Sequence, residues 1–81
     1  MKKSKAPFKL NMAALFLDQK PRDAAAVFAE LEPDYARARF FSREFVAYQL
    51  QSLKAVCILQ VDDDGVYSLT RHGAEKVGKS L

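Results

Sequence analysis

The sequence lacks several features that would point to particular classes of protein. It contains no tryptophan, three glycines and a single cysteine in 81 residues. Cys57 therefore has no partner for an internal disulfide, and no apolar run approaches the roughly 18 residues that cross a membrane. The basic start of the chain leads into a short apolar stretch broken by Lys9 and Asn11, which argues against a signal peptide. We expect a cytoplasmic protein that has no membrane partner.

Catalytic and metal-binding patterns are also missing. No Ser-His-acid set, Cys-His pair or glycine-rich phosphate loop has the required spacing, so we expect no enzyme and no catalytic residues. The acidic run Asp62–Asp64 before Gly65 suggests a calcium loop, but its first and last ligand positions would be Gln60 and Arg71. His72 has no second ligand at metal-binding spacing. The sequence thus indicates no metal and no cofactor.

The length of the chain allows one small domain. A protein of 81 residues has room for a single modest core. The lysine-rich segment 1–7 ends at Pro7 and has no apolar periodicity, so we expect a flexible basic arm there. The remaining residues, 8–81, are expected to form the domain.

The distribution of charge is more informative than the net charge of +3. Basic side chains outnumber acidic ones in three blocks of the sequence. The two blocks between them contain acidic side chains and no basic ones. The basic blocks are residues 1–22, 35–54 and 71–81. Separate basic blocks are typical of a face that binds phosphates, although a solvated surface of mixed charge gives the same composition.

Apolar spacing and capping residues predict short helices followed by a hairpin. Asn11 is expected to cap the first helix, Asp34 a short third helix, Ser42 the longest helix and Thr70 the last one. Pro21 suits the first turn of the second helix, and Pro33 is expected to end it at Glu32. The predicted helices span about 12–19, 21–32, 35–40, 42–54 and 71–79, and the predicted strands span 58–61 and 66–69.

The helix that follows Ser42 has the clearest amphipathic pattern. Its apolar residues Val46, Leu50, Leu53 and Cys57 are spaced four, three and four apart, which predicts a buried stripe that includes the cysteine as a small core residue. The opposite face carries polar and charged side chains. That face contains Arg43, Glu44, Ala47, Gln51 and Lys54.

Two segments carry a resemblance to a known superfamily. The segment AxxxFFSREFVAYQLQSLKAVCIL, from Ala36 to Leu59, and the segment VYSLTRHG, from Val66 to Gly73, resemble the winged helix-turn-helix superfamily of bacterial transcriptional regulators. The resemblance covers about half of the chain and consists of core and cap positions. It implies a mainly α fold with a small two-stranded antiparallel β-wing, and a DNA-binding function in transcription regulation.

The resemblance leaves one alternative open and has two departures. Either the short third helix supports the helix after Ser42, or the alanine-rich second helix does so and residues 33–41 form a long turn. The superfamily commonly has glycine where this chain has Cys57. Its wing commonly carries Arg or Lys, whereas Asp62–Asp64 would repel phosphates, so we predict that this wing does not enter the minor groove.

The resemblance and the residue types together predict a DNA interface. Insertion of the 42–54 helix into the major groove would bring five side chains to base edges, where Arg suits guanine, Gln adenine and Glu cytosine. The predicted base-reading residues are Arg43, Glu44, Ala47, Tyr48 and Gln51. The predicted phosphate contacts are Lys2, Lys3, Lys5, Arg37, Arg39, Ser42 and Lys54.

Three alternatives accompany this interpretation. Arg37, Arg39 and Lys54 suit ion pairs with acids of residues 30–34 equally well. A winged-helix module that binds a protein partner and no specific DNA would explain the acidic wing and the exposed Tyr48. The surplus of apolar residues in the first helix either contacts a second copy, forming a homodimer on a palindromic site, or covers the core of the monomer. The surplus residues are Phe8, Leu10, Leu15, Phe16 and Leu17.

Overall fold

A computed structural model describes residues 8–80, and the predicted basic arm lies outside this range. The described chain is mainly helical, with four α-helices and a small antiparallel sheet. Its elements are α1 (Phe8–Ala14), a 3-10 helix (Leu15–Asp18), β1 (Arg22–Asp23), α2 (Ala24–Tyr35), α3 (Arg43–Ala55), β2 (Leu59–Val61), β3 (Val66–Leu69) and α4 (Arg71–Ser80).

The first helix starts earlier than its capping pattern predicts. Asn11 lies inside α1, so it is not the N-cap, and its side-chain amide donates a hydrogen bond to the Tyr35 hydroxyl at 3.0 Å. Aromatic packing explains the earlier start, because Phe8 contacts the rings of Tyr35 and Phe45. The helix tightens into the 3-10 turn and ends at Gln19, whose φ is 69°.

The sheet has three strands, whereas the sequence predicted two. β1 pairs with β3 and β3 pairs with β2, all antiparallel, in the order β1-β3-β2. The additional strand has two residues, Arg22 and Asp23, which is too short to give an alternating pattern. The prediction that Pro21 begins the second helix is therefore wrong, since Asp23 caps α2 by accepting a hydrogen bond from the Ala26 amide at 2.8 Å.

The second helix continues through Pro33 instead of ending before it. It ends at Tyr35, and the Ala36 amide still donates to the Glu32 carbonyl at 2.9 Å. Packing outweighs the local preference of proline, because the last turn carries Leu31, which is buried, and Tyr35, which packs against the core. The predicted short helix over 35–40 is therefore wrong. Residues 36–42 form the connection, and α2 is the helix that packs on α3.

The predicted cap of α3 is confirmed, and its end corrects the interpretation of Cys57. The Ser42 hydroxyl accepts a hydrogen bond from the Phe45 amide at 3.0 Å. At the other end, the Ile58 amide donates to Leu53 O at 2.9 Å and the Cys57 amide to Lys54 O at 3.0 Å, which is a Schellman ending. Cys57 is the left-handed residue of this motif, with φ 64°, and it is exposed, so it is not a core residue.

The hairpin after α3 follows the prediction closely. β2 starts at Leu59, one residue later than expected, and Gly65 closes the turn with φ 82°. The Asp62 side chain accepts hydrogen bonds from the amides of Asp64 and Val66, which fixes the turn. Thr70 then caps α4, accepting from the Gly73 amide at 2.8 Å.

The core lies between the helices and the inner side of the sheet. All four α-helices, β2 and β3 contribute to it, and Val46, Leu50 and Leu53 confirm the apolar stripe predicted for α3. The largest fully buried side chains are Phe16, Met12, Leu50, Leu59, Val27, Val46 and Val77.

Candidate nucleic-acid interface

The five predicted base-reading residues lie together on the exposed face of α3. At 100° per residue, Glu44, Tyr48 and Gln51 fall within about 60° of one another, and Arg43 and Ala47 lie beside them on one flank. All five are exposed, and Tyr48 has 68% of its surface accessible. The α3 face, as we call these five residues, is therefore accessible to solvent, although two of its side chains also contact neighbouring elements.

Arg43 is positioned by an aromatic ring of the neighbouring helix. Its guanidinium carbon lies 5.1 Å from the centre of the Phe28 ring in α2, a cation–π distance. Phe28 in turn stacks on Phe41 at 4.6 Å, which holds the ring in place. Such a contact limits the rotamers of the arginine while its N–H groups stay available to an acceptor. Periodicity could not reveal this pairing, because it joins two separate helices.

Gln51 is held by a hydrogen bond to the sheet. Its side-chain nitrogen donates to the hydroxyl of Tyr67 in β3 at 2.7 Å. Tyr67 is buried, so this bond fixes the amide relative to the core. The carbonyl oxygen and the second N–H of Gln51 remain available for a ligand.

The predicted phosphate contacts occupy different positions along the chain. Arg37 and Arg39 are exposed in the connection before α3, and Lys54 is exposed in its last turn. Lys54 follows Arg43 by eleven residues, which places the two cations about 16 Å apart along α3 and about 20° apart around it. Ser42 is only partly exposed, and its hydroxyl is occupied as the N-cap. Lys2, Lys3 and Lys5 lie outside the described residues.

The described part of the chain does not contain the alternative in which Arg37, Arg39 and Lys54 form local ion pairs with acidic residues. Within residues 8–80, the ion pairs join Arg22 to Asp18 and to Glu30. Arg37, Arg39 and Lys54 form none with any described residue. These three cations are therefore available to a partner of negative charge.

Arg22 forms a charge cluster that the sequence did not reveal. Its guanidinium donates to both oxygens of Asp18, at 3.0 and 2.7 Å, and to Glu30, and it lies 5.4 Å from the centre of the Phe16 ring. The hydrogen bond from Arg22 and that from the Lys20 amide lower the pKa of Asp18 to about 2, and the two carboxylates raise the pKa of Arg22. This arginine is neutralised within the fold and does not add to a basic surface.

The turn between β2 and β3 is acidic, as predicted. Asp62, Asp63 and Asp64 are all exposed. The register adds a fourth carboxylate, since Asp23 of β1 pairs with Val66, and Val66 bonds to Asp62. This end of the sheet would repel a phosphate backbone. Within residues 8–80 no three potential ligands are grouped to hold a metal ion.

The apolar surplus of the first helix is mostly used by the core. Phe16 is fully buried, and Phe8, Leu10 and Leu15 pack against the core. Leu17 keeps 37% of its surface exposed. The described residues thus agree with the alternative in which the first helix covers the core of the monomer. No α-helix between residues 8 and 80 combines the length and apolar character needed to span a bilayer.

Comparisons with protein-family models, with curated proteins and with solved structures gave no match for this chain. The function of this chain has therefore to be inferred from the geometry of the α3 face, the charges around it and the order of the elements.

Proposed function

We propose that this chain is a winged helix-turn-helix domain that binds double-stranded DNA, with α3 as the recognition helix, and that it acts as a transcriptional regulator in the cytoplasm of a bacterium. The observation that carries the proposal is the α3 face, which presents Arg43, Glu44 and Gln51 to solvent beside cations that form no ion pair within the described residues.

The order of the elements supports this assignment. A helix, a short strand, two helices in contact and a β-hairpin follow one another, and the short strand joins the hairpin as an edge of the same sheet. In such an arrangement the second helix of the contacting pair enters the groove and the hairpin lies beside it as a wing. A helix such as α3, which has 13 residues, is about 10–12 Å in diameter with its side chains, and this diameter suits a major groove about 12 Å wide.

Each part of the surface has a distinct role in the proposed complex. Arg43, held over Phe28, would donate two hydrogen bonds to guanine, and Gln51, held by Tyr67, would present its free carbonyl and N–H to adenine. Arg37, Arg39 and Lys54 would neutralise phosphates on either side of the helix, with the lysines of the arm adding to the electrostatic attraction. The acidic turn would point away from the backbone.

A second function has its own support. Winged domains that bind proteins need no basic wing, and here the wing turn carries three exposed aspartates. Tyr48 is largely exposed on α3, and Phe40 is exposed to 47% beside the same helix. Exposed aromatic side chains are common anchors of protein interfaces. The alternative proposal is therefore a winged-helix module for a protein partner, without specific DNA binding.

Substitution of Arg43 separates base reading from phosphate binding. After a preferred DNA sequence has been selected, Arg43→Lys keeps the charge but loses the bidentate geometry, so specific binding should weaken by about 1–3 kcal/mol while binding to random DNA changes little. Lys79→Gln, which removes an exposed charge from α4, serves as the control. If Arg43→Lys weakened binding equally on all DNA sequences, Arg43 would be assigned to a contact with the DNA backbone. If substitutions of Arg43, Gln51 and Lys54 left DNA binding unchanged, the proposal would be contradicted.

A further inference from the structure

An apolar groove lies on the side of the domain where α1, the end of α3 and α4 meet. It has a volume of about 420 Å³ and is open to solvent. Its walls are mainly aliphatic, and two lysines from different helices lie at its margin. The lining includes Leu10, Leu53, Val56, Ile58, Lys9 and Lys76. We refer to this site as the α1–α4 groove.

The groove contains apolar surface that residues 8–80 leave uncovered. Val56 has 57% of its surface exposed although it lies next to the buried Leu53. The Schellman ending fixes Val56 at the C-cap of α3, so the side chain is held beside the groove. Leu10 and Ile58 are only partly covered. An apolar ligand would remove this surface from water.

The charges of the groove select the kind of ligand. Lys9 and Lys76 are both exposed, and none of the described residues that line the groove carries a carboxylate. The ammonium group of Lys9 donates to the Ser52 hydroxyl at 2.7 Å, which holds this cation against α3. An aliphatic wall with two cations at its margin complements a molecule that has an apolar chain and one negative end.

We propose that the α1–α4 groove binds a free aliphatic carboxylate of medium to long chain length, with its hydrocarbon along Leu10, Val56 and Ile58 and its carboxylate between Lys9 and Lys76. The volume lies within the range of small-molecule sites, about 300–1,000 Å³. A second copy of the chain fits less well, because a symmetric contact would oppose the lysines of one groove to those of the other. The proposal is independent of DNA binding.

Direct titration with octanoate, decanoate and dodecanoate, below their micelle concentrations, tests the proposal. Calorimetry or chemical-shift changes should report one site per chain, with affinity rising about two- to fourfold for each added methylene. The alcohol of the same chain length should bind more weakly, because it has no charge for the lysines. An alkyltrimethylammonium ion of the same length should not bind.

Charge reversal on α4 locates the site. Lys76→Glu should weaken dodecanoate binding roughly fivefold, because it replaces an attraction with a repulsion. Lys79→Glu makes the same change on the same helix outside the groove and should leave the affinity unchanged. Val56→Glu, at a position that is already exposed, should abolish binding without unfolding the domain, which circular dichroism would verify.

Several results would overturn the proposal. They are the absence of dodecanoate binding, equal affinities for the carboxylate and the alcohol, or equal effects of the Lys76 and Lys79 reversals. Sedimentation that reveals a dimer dissociated by Val56→Glu would assign the groove to a second copy. If an acidic amphipathic peptide displaced dodecanoate at a lower concentration than longer carboxylates do, the groove would be assigned to a protein partner.

Discussion

Gly73 of α4 lies against the backbone of Ile58, in the connection between α3 and β2, and its replacement by alanine tests this packing. A Cβ added at Gly73 would lie 2.1 Å from the carbonyl oxygen of Ile58 and less than 3 Å from its carbonyl carbon and Cα. The obstacle is backbone, so a change of rotamer cannot relieve it, and the two segments must separate by about 1 Å. Ile58 O also accepts a hydrogen bond from the Thr70 amide at 3.1 Å and a weaker one from the Thr70 hydroxyl, whose single proton lies closer to Cys57 O, and the separation would weaken both.

The expected magnitude follows from three contributions. Alanine is favoured over glycine in a helix by about 1 kcal/mol. Overpacking against a fixed backbone costs about 1–3 kcal/mol, and each of the two weakened hydrogen bonds costs up to about 1 kcal/mol. We expect Gly73→Ala to lower the free energy of unfolding by about 2 kcal/mol, and Tm by about 8–16 °C for a domain of this size.

A glycine of the same helix supplies the matched control. A Cβ added at Gly78 would have no heavy atom within 4 Å, so Gly78→Ala keeps only the favourable contribution and should raise stability by about 0.5 kcal/mol. Urea denaturation followed by circular dichroism at 222 nm gives both values. If Gly73→Ala were as stable as the wild-type protein, or stabilised it as Gly78→Ala is expected to, the contact between α4 and Ile58 would be refuted.

Substitutions at three further positions test the local structure. Cys57→Gly should stabilise the domain by about 0.5–1 kcal/mol in thermal unfolding, because glycine adopts the left-handed conformation without strain, whereas Cys57→Ala should give no such gain. Ser42→Ala should cost about 1 kcal/mol in the same assay, and Ser42→Asp, which keeps a capping oxygen, should cost much less. The pKa of Asp18 is lowered from 3.8 to about 2, so its carboxylate stabilises the fold above about pH 4 and this contribution is lost as the pH falls towards 2. Urea unfolding at several pH values should therefore show a smaller acid loss in Asp18→Asn, and an unchanged pH profile would contradict the pairing with Arg22.

The second half of the fold could be predicted from the sequence because local signals agree there. Ser42 and Thr70 cap the helices that follow them, and Gly65 closes the hairpin, as the pattern indicated. The exposed face of α3 followed from the same apolar spacing. These features depend on contacts between residues close in sequence.

The first half was predicted less well because distant contacts decide it. The contacts of Phe8 with Tyr35 and Phe45 extend α1 past Asn11, and packing of the last turn carries α2 through Pro33. β1 exists only through its pairing with β3, which no local pattern encodes. Contacts between residues distant in sequence also position side chains of the α3 face, and local patterns do not reveal them.

The polar residues of the α3 face could be named from the sequence, but the contacts that position two of them could not. Arg43 depends on Phe28 of α2, and Gln51 depends on Tyr67 of β3. The position of Cys57 was read as the continuation of an apolar stripe. Glycine is common at this position in the superfamily that the segment resembles, and this departure was the one signal in the sequence that bears on the left-handed conformation of Cys57.

The proposed function is tested most directly by binding of the purified protein to random-sequence duplex DNA across a salt series, followed by selection of enriched sequences. If α3 is a recognition helix, the affinity should fall steeply with salt, because several phosphates are neutralised, and the enriched motif should depend on Arg43 and Gln51 for its recognition. Absence of binding even at low salt would contradict the DNA-binding proposal and favour a protein partner for the same surface.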